Sequence, residues 1–314
     1  MEPVCRAVVD VGTNSVKLLV AEVANRDARP LFETSKQTRL GRGFYQDRRL
    51  QPGPIEETAH TVAEFAGKAR ELKAASIRVI ATSAAREAVN RLELTSAIEQ
   101  ASGLQVEILS GEQEADMAFQ GVTSDPRLAR EPLLLLDAGG GSTEFILGQG
   151  SRKRFRQSYA LGTVRLLEKL PHRDPASPEE LAACRRWLKA FLEAAVRPEL
   201  GPVLEQERQA AQGALQFVGT GGTASILGCM EGRLETFDRA RLEAMRLPRE
   251  RLRWHVERLW GLPLEERKQI VGLPKNRADV ILTGTAIYEA VMETFEFQEL
   301  RISTRGLRFA AVMS

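Results

Sequence analysis

The chain has 314 residues, of which 43% are hydrophobic and 27% charged; this balance is typical of a globular protein and excludes a disordered one. Lysine and arginine number 44 against 42 aspartate and glutamate residues, and the net charge of +2 excludes a design built mainly to coat nucleic acid. At roughly 150 residues per domain, the length predicts two domains.

Three cysteines lie far apart in the sequence, at Cys5, Cys184 and Cys229. An odd, dispersed set is typical of a reducing compartment and not of a disulfide scaffold. The sequence opens without a charged-then-apolar leader, and its apolar runs are far shorter than a membrane span. We therefore expect a cytoplasmic protein whose partners include neither a membrane nor a nucleic acid polymer.

The first part of the chain is predicted to alternate strands and helices. Ser110 and Gln113 stand at the spacing of a capping box, which marks the start of a helix. In chain order we expect strands at 7–11 and 16–23, a strand followed by a glycine turn within 29–44, a helix at 55–72, a strand at 77–81, a helix at 84–100, a strand at 105–109 and a helix at 111–121.

The second part of the chain continues the alternation, which indicates an α/β fold. A loop at 125–127 is the expected domain crossing, so the predicted domains are 1–124 and 125–304, and the final helix of about 305–314 can pack back on the first. Ser177 and Pro178 mark the start of a long helix. We expect strand, turn and strand within 133–147, a helix at 178–196, a strand at 217–218, helices at 249–259, 264–271 and 278–294, a strand at 300–304 and a helix at 306–313.

An internal repeat is the most informative feature of the sequence. Residues 10–15 and residues 137–142 both read Asp-x-Gly-x-x-Ser, each between two apolar segments and 127 residues apart. Glycines let backbone amides approach an anion, and an aspartate at a strand end can hold a hydrated Mg²⁺ ion. Two copies therefore predict two related domains that face each other across a phosphate site.

A third glycine loop occupies residues 219–223, after a short apolar strand and before an apolar helix. This order is typical of an anion or nucleotide site at a helix N-terminus. The loop lacks the Gly-Lys-Ser/Thr sequence of a Walker loop and does not match a dinucleotide fingerprint.

Taken together, these motifs resemble the exopolyphosphatase / guanosine pentaphosphate phosphohydrolase (Ppx/GppA) family, a branch of the actin–Hsp70–sugar kinase superfamily. The resemblance implies two ribonuclease-H-like domains of the actin-like ATPase type, with the active site in a cleft between them. It also implies Mg²⁺-dependent release of terminal phosphate from inorganic polyphosphate or guanosine pentaphosphate. The matching segments are 10–15, 81–90, 110–115, 137–144 and 219–223, with weaker matches at 161–166 and 306–308.

The resemblance also implies roles for individual residues. Glu114 matches the family's catalytic glutamate, which would act as general base on the attacking water, whereas Glu112 would point elsewhere on the helix. Glu144 is the second catalytic candidate, and the metal ligands implied are Asp10, Asp137 and Glu144. The implied phosphate-binding residues are Gly12, Thr13, Asn14, Ser15, Arg86, Gly139, Gly140, Gly141, Ser142, Gly221, Gly222 and Thr223, with a further polyanion contact at Arg39.

Two of the basic residues have a weaker basis than the glycine turns. Arg86 is expected at the start of a helix, where a cation is poorly placed for the helix dipole, and this favours an anion as its partner. A surface salt bridge is the alternative for this side chain. Arg39 lies in an Arg-Leu-Gly stretch that matches the family.

Other functions stay open at this point. A kinase of the same superfamily would need an acceptor pocket and a catalytic aspartate, and the Ser-Gly-Glu-Gln-Glu-Ala segment at 110–115 favours a hydrolase instead. A non-catalytic sensor of polyphosphate or guanosine polyphosphates is disfavoured because Glu114, Asp137 and Glu144 are all present. The sequence does not rank polyphosphate against guanosine pentaphosphate, and it leaves a homodimer open.

Overall fold

The computed structural model describes residues 2–25, 27–211 and 215–314. Within these ranges, strands β1 to β5 form one sheet in the order β3-β2-β1-β4-β5, and β6 to β11 form another in the order β10-β11-β9-β6-β7-β8. The strands are β1 Val4–Val11, β2 Val16–Ala24, β3 Asp27–Lys36, β4 Ser76–Ala81, β5 Val106–Ile108, β6 Leu133–Ala138, β7 Thr143–Gln149, β8 Arg152–Tyr159, β9 Gln216–Thr220, β10 Arg246–Pro248 and β11 Glu299–Ile302.

Helices alternate with these strands along the described chain. A π-helical turn, Leu192–Val196, joins α7 to α8, and a 3₁₀ turn, Lys275–Arg277, precedes α13. The helices are α1 Pro52–Glu71, α2 Ser83–Glu87, α3 Arg91–Ser102, α4 Gly111–Thr123, α5 Pro126–Ala129, α6 Thr163–Lys169, α7 Pro178–Phe191, α8 Arg197–Ala210, α9 Gly221–Glu231, α10 Arg239–Ala244, α11 Arg249–Gly261, α12 Leu264–Arg267, α13 Ile281–Thr294 and α14 Leu307–Met313.

The contacts divide the chain into two compact units. The first unit comprises residues 1–125, Gly140–Ser142 and Arg305–Ser314, and the second comprises Pro126–Gly139 and Thr143–Thr304. Each unit contains one of the two sheets. Helix α14 packs against α4 and belongs to the first unit.

The sheet of the first unit is covered on both faces. Successive residues of β1 point to opposite faces. Val9 belongs to an apolar cluster with Val62 of α1 and Leu94 of α3, whereas Val8 belongs to a second cluster with Phe309 of α14. A strand buried on both faces favours a continuous apolar run, and Ala7, Val8 and Val9 form such a run in β1. This packing fixes the carboxyl end of β1, where the first glycine turn begins.

The sheet of the second unit is built around β6. This strand is antiparallel to β7 and parallel to β9. Helix α13 packs against β6, and every residue of this helix except Glu293 is buried. Because β6 and β9 are parallel, their carboxyl ends meet at one edge of the sheet, where the second and third glycine loops begin.

The single helix predicted at 84–100 is wrong, because the structure has two helices, α2 and α3. The break follows from a contact that local sequence does not reveal. The Asn90 side chain accepts a hydrogen bond from Leu50 N at 2.9 Å and donates one to Leu50 O at 3.0 Å. This pairing holds residues 88–90 out of the helix.

Strand β8 was not predicted, and its composition explains why. It carries Arg152, Lys153, Arg154 and Arg156 at the edge of its sheet. Charged side chains are a common protection of edge strands, and they remove the apolar run on which the prediction depends. We also predicted no element where α6, α10 and β10 lie.

Several predicted boundaries also shift. The loop predicted at 125–127 contains the start of α5, and the helix predicted at 178–196 continues through the π-helical turn into α8. Helix α12 ends at Arg267, short of the predicted 271, and α13 begins at Ile281.

Both predicted helix starts with a capping serine are confirmed. Ser110 Oγ accepts from Gln113 N at 3.1 Å while Gln113 Oε1 accepts from Ser110 N at 2.8 Å. Ser177 and Glu180 form the same reciprocal pair at the start of α7. Across the described ranges, no helix is both long and apolar enough to cross a membrane.

Candidate active site

The first glycine turn joins β1 to β2 in the first unit. Gly12 N donates to Ser15 O at 3.1 Å and closes the turn, while Thr13, Asn14 and Ser15 are all buried. Asn14 Oδ1 accepts from Gln37 Nε2 at 3.2 Å. Asn14 Nδ2 is buried and has no hydrogen-bond partner among the described residues. A buried donor of this kind is costly unless a ligand supplies the acceptor.

A second loop of the first unit lies against this turn. Arg39 N donates to Asn14 O at 3.1 Å, and Gly41 N donates to Thr13 O at 2.7 Å. A Cβ atom on Gly41 would overlap Thr13 Cγ2, so the close approach requires glycine. Arg39 has a φ of +52°, an uncommon left-handed conformation for a residue other than glycine. The sequence-predicted Arg39 thus lies directly beside the first glycine turn.

Glu114, the candidate base, is held by Arg86 in the same unit. Arg86 Nη1 donates to Glu114 Oε2 at 2.9 Å and to Leu109 O at 2.9 Å. Glu114 is buried on α4, whereas Glu112 is exposed, as predicted from their different positions on the helix. Arg86 lies in the last turn of the five-residue helix α2, so the expectation that it starts a longer helix is wrong.

Asp137 and Glu144 face each other across the antiparallel pair of β6 and β7 in the second unit. Glu144 is only 1% exposed and accepts a hydrogen bond from Ser158 Oγ at 2.7 Å. Side chains at directly opposed positions lie on one face of the sheet, with Cβ atoms about 5 Å apart. The structure therefore brings two of the three predicted metal ligands together.

The third predicted metal ligand, Asp10, has a different partner. It is paired across β1 and β2 with Lys17, whose Nζ lies 3.7 Å from Asp10 Oδ2. Lys17 precedes Glu144 by the same 127 residues that separate Asp10 from Asp137. The repeat therefore places a lysine in the first hairpin where the second has a glutamate.

Part of the second glycine turn belongs to the first unit, as the segment Gly140–Ser142. A Cβ atom on Gly141 would come within 2.5 Å of both Ser83 Oγ and Tyr45 Oη and within 2.8 Å of Thr13 Oγ1. Three hydroxyl groups therefore surround this glycine. Neither Ser83 nor Tyr45 was among the residues singled out from the sequence.

The third glycine loop lies beside Asp137 in the second unit. Gly221 has a φ of +82°, and a Cβ atom there would overlap Asp137 Oδ1, so the position needs glycine for both conformation and space. A Cβ atom on Gly222 would meet nothing within 4 Å. Thr223 is buried, and the carbonyl oxygen of Gly139, the residue after β6, accepts from Thr163 N at 2.9 Å.

Among the described residues, no group of three or more histidine, cysteine, aspartate or glutamate side chains is placed to hold a metal ion. The donor set of the second unit is thus a pair, Asp137 and Glu144. Oxygen donors suit Mg²⁺, which usually keeps several water ligands and binds through one or two carboxylates. The pair therefore fits this ion.

Each of the two sheets contains a hairpin that turns at an Asp-x-Gly motif, with a parallel strand beside it. This arrangement defines a two-domain protein of the actin-like α/β fold. A solved exopolyphosphatase from Cytophaga hutchinsonii shares this fold at 23% identity, with a TM-score of 0.84 over 98% of this chain and 96% of that one. The solved Ppx/GppA family member of Aquifex aeolicus is 27% identical, with a TM-score of 0.78 over 99% of this chain and 97% of that one.

The chain belongs to the Ppx/GppA phosphatase family, whose model matches residues 19–314. A curated relative from Mycobacterium tuberculosis, named Exopolyphosphatase 2, is 32% identical over 294 residues, which are 90% of this chain and 88% of the relative. The chain is accordingly an enzyme that hydrolyses phosphoanhydrides, of a family that generally depends on a metal ion.

Proposed function

We propose that the protein is an exopolyphosphatase that hydrolyses the terminal phosphoanhydride of inorganic polyphosphate and releases orthophosphate. The observation that carries the proposal is the buried Glu114 carboxylate, held by Arg86 within the unit that also carries the first glycine turn. The exopolyphosphatase from Mycobacterium tuberculosis supports the choice of substrate. Guanosine pentaphosphate, which carries the same terminal bond, is the alternative substrate.

The glycine turns would bind the phosphate end of the substrate. Backbone amides of 13–15, 139–142 and 221–223 are the donors proposed, because turns of this kind form concave anion sites, while Gly12 N closes the first turn by donating to Ser15 O. The unsatisfied Nδ2 of Asn14 and the open space beside Gly222 support the assignment. Arg39 and Arg86 would add positive charge, which phosphoryl groups require during transfer.

Asp137 and Glu144 are the residues that we propose to hold Mg²⁺, and Asp10 would contribute through water while Lys17 balances part of its charge. When bound, the ion shields the negative charge of the phosphoryl oxygens. Ser158 keeps the Glu144 carboxylate in place through its hydroxyl group. These side chains position the donors before the substrate arrives, and such preorganisation is a large part of catalysis.

The chemical step falls to Glu114. Water attacks the terminal phosphorus in line with the bridging oxygen, the P–O bond to that oxygen breaks, and the water proton passes to the Glu114 carboxylate. Arg86 fixes the carboxylate through Oε2. Orthophosphate and a polyphosphate shorter by one unit are the products.

We place this activity in the cytoplasm. Cys5, Cys184 and Cys229 are free thiols, and burial raises the pKa of each of them. Unpaired, weakly reactive thiols fit a reducing compartment.

The proposal is tested by measuring phosphate release from polyphosphate, guanosine pentaphosphate and ATP in parallel, with Mg²⁺ and with excess chelator. We expect turnover of polyphosphate at the highest kcat/KM, and its loss on chelation. Faster turnover of guanosine pentaphosphate would make the nucleotide the substrate. Binding of polyphosphate without release of phosphate from any substrate would contradict an enzymatic role.

A further inference from the structure

Helix α13 lies beneath the carboxyl ends of β6 and β9 in the second unit, from which the second and third glycine loops continue. It contacts α6, α9 and β6, and it is buried almost throughout. Gly284 and Tyr288 are one helical turn apart on α13 and therefore share a face. This face is the one turned toward the loops.

Gly284 allows α13 to approach α6 and α9. A Cβ atom there would lie 2.8 Å from Thr223 Oγ1, closer than real Cβ atoms come, and 3.0 Å from Thr163 Cγ2, which is tighter than most such contacts. The neighbouring Thr283 Oγ1 donates to Thr163 O at 2.8 Å. The first turns of α6 and α9 thus pack against α13.

Tyr288 connects the ends of two strands. Its hydroxyl group lies 3.0 Å from Leu136 O on β6 and 3.1 Å from Thr220 O on β9. Leu136 immediately precedes Asp137, and Thr220 immediately precedes Gly221. The fully buried hydroxyl group of Tyr288 therefore contacts the backbone directly before the proposed metal ligand Asp137 and directly before Gly221 of the third glycine loop.

The chain makes space for this tyrosine. A Cβ atom on Gly219 would lie 2.7 Å from Tyr288 Cε1, so only glycine lets the ring lie against β9. Burial raises the pKa of the Tyr288 hydroxyl well above its ordinary value, with the nearby Asp137 charge as a further cause, so the group keeps its proton. The first glycine of the 219–223 motif thus makes room for the tyrosine ring.

We propose that Tyr288 is a positioning residue, which reinforces the last pairs of the β6–β9 ladder through its hydroxyl group and thereby aligns Asp137 with the amides that follow Thr220. A phenylalanine in its place would keep the packing and the direct pairing of β6 with β9, but it would lose the hydroxyl contact to Leu136 O and Thr220 O. The two carbonyl groups would then be free to shift, and small displacements of this kind can cost two orders of magnitude in rate. The activity readout rests on the proposed function.

The test compares Tyr288→Phe with Tyr159→Phe. Tyr159 is a matched control because it is also a buried tyrosine of the second unit, and its hydroxyl has no hydrogen-bond partner among the described residues. Well below the melting temperature, we expect Tyr288→Phe to lower kcat by about 10- to 100-fold with a smaller effect on KM. Amide hydrogen exchange at 137–141 and 221–223 should rise at the same time, while Tyr159→Phe leaves both readouts at wild-type values.

Wild-type kcat and wild-type exchange at the loops in Tyr288→Phe, with only a lower melting temperature, would overturn the proposal and leave the tyrosine a structural role. If the wild-type protein releases no phosphate, the proposed function fails, and the exchange measurement alone decides the role of Tyr288. Should Tyr288→Phe not fold, Gly219→Ala displaces the ring while keeping its hydroxyl, and the same two readouts apply.

Discussion

Arg86 Nη1 lies 2.9 Å from Glu114 Oε2 and equally close to the carbonyl oxygen of Leu109. One guanidinium group thus contacts both the candidate base on α4 and the backbone of Leu109, which lies between β5 and α4. The charged partner of the proposed catalytic carboxylate is therefore also a proposed ligand of the phosphate.

Replacement of Arg86 tests this double role. Both hydrogen bonds of Arg86 leave the same nitrogen, Nη1, and a lysine side chain ends one bond short of it. Arg86→Lys therefore keeps the positive charge but does not reach both oxygens, so we expect kcat to fall about tenfold, and Arg86→Met to raise KM as well. Steady-state phosphate release over a range of polyphosphate concentrations separates the two effects. Arg49→Met, which breaks the exposed pair with Glu93, is the control and should change neither constant. Unchanged kcat in Arg86→Lys would show that the link to Glu114 has no catalytic consequence.

The open space beside Gly222 allows the phosphate cradle to be probed without damage to the fold. Gly222→Ala should not lower the melting temperature, since nothing lies within 4 Å of the added carbon and alanine favours the helix by about 1 kcal/mol. The methyl group would project toward the bound phosphate, so KM should rise several-fold. Gly67→Ala, at an equally open site in α1, should be as stable and keep its KM. An unaltered KM in Gly222→Ala would remove this amide from the cradle.

The opposed carboxylates of Asp137 and Glu144 should affect the thermal stability of the protein and its response to Mg²⁺. Like charges at directly opposed strand positions destabilise a sheet by up to about 1 kcal/mol. Glu144→Gln should therefore raise the melting temperature in excess chelator, keep the bond to Ser158, and abolish the further rise that Mg²⁺ gives the wild type. Thermal melts with and without Mg²⁺ are the measurement. An equal rise with Mg²⁺ in both proteins would place the ion elsewhere.

The surroundings of His255 allow us to predict how the free energy of unfolding changes in mild acid. Burial lowers its pKa, while Glu231 on α9, bonded to Nε2 at 2.8 Å, raises it and Arg251 and Arg258 on α11 lower it further. A lowered pKa means that the unfolded chain binds the proton first, so stability falls as the pH drops below about 6.5. Chemical unfolding between pH 7.5 and 5.5 should show this loss, and His255→Gln should reduce its slope. An unchanged slope in the variant would mean that another group titrates there.

The sequence was most informative where chemistry and local structure coincide. The strands beside the glycine turns, the caps at Ser110 and Ser177 and the different directions of Glu112 and Glu114 on their helix follow from local sequence and were predicted correctly. The helix break at Asn90 was missed because its cause is Leu50, which is 40 residues away.

The hydrogen-bond and ion-pair partners of the site residues could not be predicted from the sequence, since they depend on tertiary structure. Lys17 is an instructive exception. The 127-residue offset of the repeat maps it onto Glu144, so an alignment of the two hairpins extended by a few residues would have flagged it. No local pattern would have identified Tyr288, which acts from a buried helix 68 residues after Thr220.

The most direct test of the account is the rate of phosphate release by Glu114→Gln beside Glu112→Gln. Glutamine keeps the shape of the side chain but cannot take the proton, so kcat of Glu114→Gln on polyphosphate should fall by about 10²- to 10⁴-fold while substrate binding persists. Glu112→Gln, at an exposed position of the same helix, should retain wild-type kcat. A fully active Glu114→Gln enzyme would contradict the assignment of the general base, and Glu144 would be the next candidate.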